Sequence, residues 1–386
     1  MSNLSPNLTQ TRIRSVDILR GVIMILMAID HVRVYAGVPA GGPEPAVFFT
    51  RWVTHFCAPG FVFLTGVSAF LYGQKVNNKN ALSFFLLTRG LLLVLLELTV
   101  IRFFWTFNFD YATFTLAGVI WMIGWCMIIM AALVKLKPMF VGITGLVIIF
   151  AQQVFSRLPE IIPAGIHKQL GWFWEFIYPS GLEAVPGITI LYVIVPWIGV
   201  MAAGYGFGII LLKDKKLRNR ICLWAGVSAT LLFVIIGTII TYNDTKEGET
   251  MPFILRLLNQ RKYPASFLYL LMTLGPLIAF VPYTEKAKGW LANILTIFGR
   301  VPMFYYILHI LLIHSTALLV NYISTGNTYQ EFYFNAPYAW LGPDKQWSLG
   351  LLYFVFIADV TLLYFVCKWY AKYKLSNPDK GWLKYI

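Results

Sequence analysis

Arg20 and His31 stand eleven positions apart in the run RGVIMILMAIDH, which is otherwise largely apolar. At about 100° per residue that offset is nearly three helical turns, so both side chains leave one helix face, about 16 Å apart along the axis. Asp17, three residues before Arg20, joins the same stripe, with Met24 and Met27 or Ala28 in between. Ionisable groups avoid lipid, which turns such a stripe toward the interior of a helix bundle. Arginine suits the recognition of phosphate. Histidine, with an ordinary pKa of about 6.5, suits proton transfer at neutral pH. The plainer alternative has Arg20 snorkelling to headgroups and His31 closing the opposite end of the helix. Asp30 points about 100° away from His31, so any partner that orients this imidazole comes from another helix.

A second histidine follows in TRWVTHFCAPGFVFLTGVSAF, where Arg51, Thr54 and His55 precede Pro59. Helix direction reverses between the two segments, which brings His31 and His55 to similar depth. Gly60, Gly66 and Ser68 read as a small-residue packing face. Further along stand Arg89, Glu97 and Arg102, then Arg300, His309 and His314 in GRVPMFYYILHILLIH, and Asp359. Glu97 shares no helix face with its neighbouring arginines, so each is expected to pair with another helix. Arg300 sits where a phosphate contact is reasonable. His309 and His314 diverge by about 140° and read as satisfied core histidines. No glycine-rich phosphate loop, paired catalytic carboxylates, serine nucleophile motif or metal-ligand cluster stands out, so no metal is expected.

The elements that must position these groups are membrane helices. The 386 residues are 58% hydrophobic and only 12% charged, which makes a soluble globular chain improbable. A span of the hydrocarbon core takes about 20 residues, and such runs predict an all-α bundle at 16–36, 52–72, 82–104, 113–134, 138–156, 187–212, 220–241, 265–283, 298–322 and 348–370. The net charge of +14 falls mainly in short clusters between these runs, among them Arg12 and Arg14, Lys75 and Lys79, and KDKKLRNR. That pattern sets orientation, with both termini cytoplasmic, and argues against nucleic acid as a partner. The intervening segments on the other side are long and rich in aromatics, Gly and Pro, and carry Lys262, Glu175 and Glu183. Loops of such length are often functional. The four cysteines lack disulfide or metal spacing, and the first apolar run has no cleavage site, so it is expected to remain in the membrane. The organisation expected is a polar cytoplasmic segment 1–15, one membrane domain 16–370 and a basic cytoplasmic tail 371–386, with no internal repeat.

Five segments, RIRSVDILRGVIMILMAIDHV, TRWVTHFCAPGFVFLTGVSAF, PWIGVMAAGYGFG, KYPASFLYLLMTLGP and GRVPMFYYILHILLIH, together resemble bacterial proteins related to heparan-alpha-glucosaminide N-acetyltransferase. The resemblance runs from about residue 12 to 370. It implies a transmembrane acyltransferase of ten or eleven helices in a bacterial inner membrane, taking acetyl from cytosolic acetyl-CoA and delivering it to an extracytoplasmic glycan or amino sugar. The Arg20–His31 spacing is also similar to the first-helix pair of the related acyltransferase family 3 proteins, where both residues are implicated in acyl transfer. In the lysosomal enzyme the catalytic histidine precedes the segment corresponding to APGFVFLTG, so the resemblance gives the chemistry to His31, to His55 or to both. Arg20, Arg14 and Arg300 are then the candidates for CoA phosphates, and Arg51, Asp30 and Lys262 for the acceptor. A transporter or channel with a polar pathway, or a membrane scaffold, are the competing classes. Direct transfer is the first expectation and a transient acetyl-histidine the second; the acceptor, N- or O-acetylation and oligomeric state are left open.

Overall fold

In the computed structural model, residues 13–178, 187–244 and 250–385 are described. Arg12, Glu183 and most of the expected 1–15 segment lie outside them. The chain begins with α1 (Arg14–Tyr35). Then α2 (Pro45–Trp52) passes through a single 3-10 turn, Val53–Phe56, into α3 (Cys57–Val76). Next, α4 (Lys79–Leu96) widens into a π-turn at Glu97–Ile101 before α5 (Arg102–Thr106). Strand β1 (Thr115–Ala117) precedes α6 (Val119–Leu133), α7 (Pro138–Ile161) and α8 (Ala164–Ile177). Strand β2 (Ile188–Ile190) leads to α9 (Trp197–Leu211), α10 (Lys215–Asn243) and α11 (Phe253–Leu258). The last helices are α12 (Phe267–Lys286), α13 (Trp290–Arg300), α14 (Pro302–Thr325) and α15 (Leu349–Ser376). Asn78, Asp214, Ser266 and Ser348 cap α4, α10, α12 and α15 by accepting from free first-turn amides.

Each of the ten expected spans overlaps a helix. Among the described residues, seven helical segments are long and apolar enough to cross a membrane, and α6 and α9 are shorter apolar helices. α1 falls outside those seven, and it carries Asp17, Arg20, Asp30 and Arg33. The described residues are mostly helical, with one short addition: β1 and β2 pair in parallel, Thr115 with Ile188 and Ala117 with Ile190. The strands take the first residues of two expected spans and leave 15-residue helices behind them. β-branched Ile188, Thr189 and Ile190 favour the extended form, and Pro196, just before α9, blocks its extension backward.

The charged helix sits in the middle. α1 packs against α3, α12, α13, α14 and α15, and most of its residues are buried. This shields its ionisable stripe from lipid, as the cost of charge in hydrocarbon requires. At its crossing with α13 the backbones nearly touch: a methyl on Gly21 would collide with the Leu295 carbonyl, and one on Gly299 with the Asp17 carbonyl. Only residues without a Cβ permit that approach. The periphery is the reverse. The most apolar windows of α4, α7, α10 and α15 are 17–28% buried, against 61% for the α2–α3 unit, and their outward faces carry Phe84, Ile143, Phe150, Ile235 and Phe365. An exposed apolar band of this extent belongs against lipid. All four cysteines are buried and free.

Candidate active site

The His31 end of α1 opens into a cavity of about 240 Å³. α1 brings Asp30 and His31 to its wall, α2 brings Arg51, and the loop before α12 brings Lys262. Three of the long aromatic segments meet here, contributing Ala40, Lys262 with Tyr263, and Pro337 with Tyr338.

The tautomer of His31 follows from its neighbours. His309 Nδ1 lies 2.6 Å from the Tyr306 carbonyl and 3.2 Å from that of Tyr305. A carbonyl only accepts, so this nitrogen carries the proton, and Nε2 of neutral His309 is an acceptor. His31 Nδ1 stands 2.7 Å from that Nε2 and therefore donates to it. The remaining nitrogen, Nε2 of His31, is left with its lone pair, a tautomer assigned from the hydrogen-bond network. Trp105 meets the His31 ring edge-on at 4.7 Å and limits its rotation. The partner from another helix that the His31–Asp30 angle required is thus His309 on α14, which sequence reasoning had placed in the core.

Around this imidazole the wall carries side chains of both charges, Asp30, Arg33, Arg51 and Lys262 among them. Arg33 Nε donates to Asp30 Oδ1 at 2.9 Å and its guanidinium also donates to the Val38 carbonyl at 2.8 Å, so Asp30 is held in the wall and turned from His31. Lys262 is buried over the rings of Tyr263, at 5.2 Å, and Tyr192, at 5.9 Å. Burial alone would lower its ammonium, but Tyr263 and Asp30 outweigh this and hold it above the ordinary lysine range. Burial pushes the Tyr338 phenol up to about 12, which keeps it a neutral donor. Arg51 donates to the Ala40 carbonyl at 3.1 Å. Glu97, almost fully buried in the π-turn, also lines the cavity, as do Arg33 and Tyr306; the sequence had not singled these out as functional. A π-turn is the local signal that marks such sites, but it cannot be read from helical periodicity.

His55 goes elsewhere. It is buried in the 3-10 turn, with Nδ1 3.3 Å from the Arg51 carbonyl and its ring 5.5 Å from Tyr269, whose hydroxyl donates to the His55 carbonyl at 2.7 Å. It is not among the described residues lining the cavity, because the 3-10 turn directs its ring back along the chain. Of the two candidate histidines, the structure brings His31 to the cavity wall, paired with His309, and sets His55 in the turn behind Arg51.

The three candidate phosphate ligands gather at the α1–α13 crossing and do not line the cavity. Arg20 donates to the Gly299 carbonyl at 2.9 Å and to Ser68 Oγ at 2.6 Å, with Asp17 3.6 Å away. Arg14 donates to Asn293 Oδ1 at 3.0 Å. Arg300 ends α13, and its buried Nε has no partner among the described residues. No group of three or more His, Cys, Asp or Glu among the described residues is placed to hold a metal ion.

Residues 12–243, more than half of the chain, match the family described as heparan-alpha-glucosaminide N-acetyltransferase, catalytic. The matched stretch runs from the start of α1 to the end of α10, so it includes His31, Arg51 and Glu97 but neither Lys262 nor His309. No curated protein matches the chain.

Proposed function

The chain belongs to the heparan-alpha-glucosaminide N-acetyltransferase catalytic family, and from that premise we propose that it moves acetyl from acetyl-CoA to a sugar or amino sugar, with His31 as the base. The observation that carries the reading is the chain of hydrogen bonds from the Tyr306 carbonyl through His309 to His31, which leaves Nε2 with its lone pair on a residue that shares a cavity wall with Asp30, Arg51 and Lys262. The acceptor hydroxyl or amine attacks the thioester carbonyl and gives its proton to His31 Nε2. The carbon–sulfur bond then breaks, and the imidazolium returns the proton to the departing CoA sulfur. While His31 is charged, His309 Nε2 continues to accept from Nδ1–H.

Arg51, Asp30 and Lys262 are assigned to the acceptor, since they share the cavity with His31. Arg14, Arg20 and Arg300 are assigned to the CoA phosphates at the other end of α1, about 16 Å from His31 by helix rise; support comes from their gathering at one crossing. His55 is given no step. The integral membrane protein is placed in a bacterial inner membrane with both termini cytoplasmic, so the donor enters from the cytosol and the acceptor from outside. The basic clusters between alternate spans support that orientation.

Purified protein in detergent tests this directly. Acetyl-CoA is expected to stabilise the fold against thermal unfolding, by about 2.7 kcal/mol at a hundredfold excess over Kd and about 4.1 kcal/mol at a thousandfold, and radiolabel is expected to appear on glucosamine. No stabilisation and no labelled sugar would remove the reading in favour of a transporter or scaffold.

A further inference from the structure

The π-turn that ends α4 aims one carboxylate at the cavity. Glu97 is only 1% exposed and lines the same cavity as His31. Its carboxylate faces the backbone amides of Gly118, Ile120 and Trp121, where α6 begins and where first-turn amides lack helical partners. Gly118 is what makes room: a methyl there would overlap Glu97 Oε1. Even so, Oε2 makes no hydrogen bond to any described residue. A carboxylate offers about four acceptor positions, and leaving a buried one unused costs about 1–3 kcal/mol. Tyr306 links this group to the base, since its carbonyl accepts from His309 and its phenol lies within electrostatic range of Glu97.

We infer that Glu97 is a binding residue for the acceptor, its carboxylate receiving a hydrogen bond from one hydroxyl or amine of the sugar and so fixing which group meets His31. The inference rests on the acetyl-transfer reading. It assigns the π-turn a purpose: the extra residue turns Glu97 out of the α4 surface and into the site. The resident amides fix the carboxylate before the sugar arrives, so little freedom is lost on binding.

The test uses the full-length protein in detergent with acetyl-CoA and a set of probes: glucosamine, glucose and the monodeoxy analogues of glucosamine, each lacking one donor. Glu97→Gln keeps the shape and an oxygen for the α6 amides but exchanges the second oxygen for a donor. Its kcat/KM for glucosamine is expected to fall about three- to tenfold, the worth of one hydrogen bond, mainly through KM, while stabilisation by acetyl-CoA is unchanged. On the wild-type protein one probe should show the same loss relative to glucosamine, and that difference should vanish in Glu97→Gln, as coupled partners require. Should Glu97→Gln fail to fold, Gly118→Ala, which displaces the carboxylate without altering it, is expected to give the same rise in KM. A variant that treats every probe as the wild type does, or a wild-type protein indifferent to every missing donor, overturns the inference. Absence of transfer by the wild-type protein to any probe overturns the functional reading and this inference with it.

Discussion

At the scale of residues, one hydrogen bond joins two histidines from different helices, His31 donating to His309. His31 was legible in the sequence because helical phase alone puts it on the stripe of Arg20, and the Asp30 angle required a partner from elsewhere. His309 was not legible: comparing it with His314 on its own helix shows only that the two diverge, and nothing in a single sequence pairs positions 278 residues apart. Lys262 and Asp30 were legible as charges but not as neighbours. The assigned tautomer gives a prediction. His309→Phe removes the acceptor for His31 Nδ1–H and frees the ring to present either nitrogen, so transfer is expected to fall about ten- to a hundredfold, the usual cost of losing an orienting partner. Acetyl-CoA stabilisation should persist, and His309→Gln, whose amide oxygen still accepts, should recover part of the rate. Equal loss in both variants would contradict the orienting role. Lys262 bears on pH. Its ammonium is held above the ordinary range, so its share of acceptor binding is present at neutral pH and is lost only as pH rises past that range.

At the scale of elements, periodicity located the long helices well and failed where the backbone leaves a regular period. The π-turn interrupts the step of 100° per residue, so phase counted along α4 does not give the direction of Glu97; it was expected to pair with another helix, and it meets the amides that start α6. Two strands replace the starts of two expected helices, and α13, an eleven-residue helix beside lysines, was absorbed into a connection. That unforeseen helix holds α1 through Gly21 and Gly299 and receives the Arg20 hydrogen bond. Gly299→Ala is therefore expected to lower unfolding stability by about 1–3 kcal/mol, the usual cost of overpacking, through collision with the Asp17 backbone. Thermal unfolding in detergent reads this, and a wild-type melting temperature would show that the crossing is looser than the structure indicates.

At the scale of the whole molecule, one polar helix is wrapped by apolar ones, with a cavity at one end and an arginine crossing at the other. Composition made the membrane setting plain, and the convergence of three aromatic segments on one cavity could not be read from it, because their separation in sequence says nothing of their meeting. The proposed orientation predicts opposite labelling of two exposed positions. With all native cysteines buried, a cysteine at Asn327 is expected to react with an impermeant maleimide from outside intact cells, and one at Lys380 only after permeabilisation; the reverse result would invert the topology. The central claim, that His31 takes the acceptor proton, is tested most directly by single-turnover transfer from radiolabelled acetyl-CoA to glucosamine, comparing wild type with His31→Ala at saturating donor. Transfer by the variant is expected to be at least about a hundredfold slower with acetyl-CoA stabilisation intact, and transfer at the wild-type rate would take the proton away from His31.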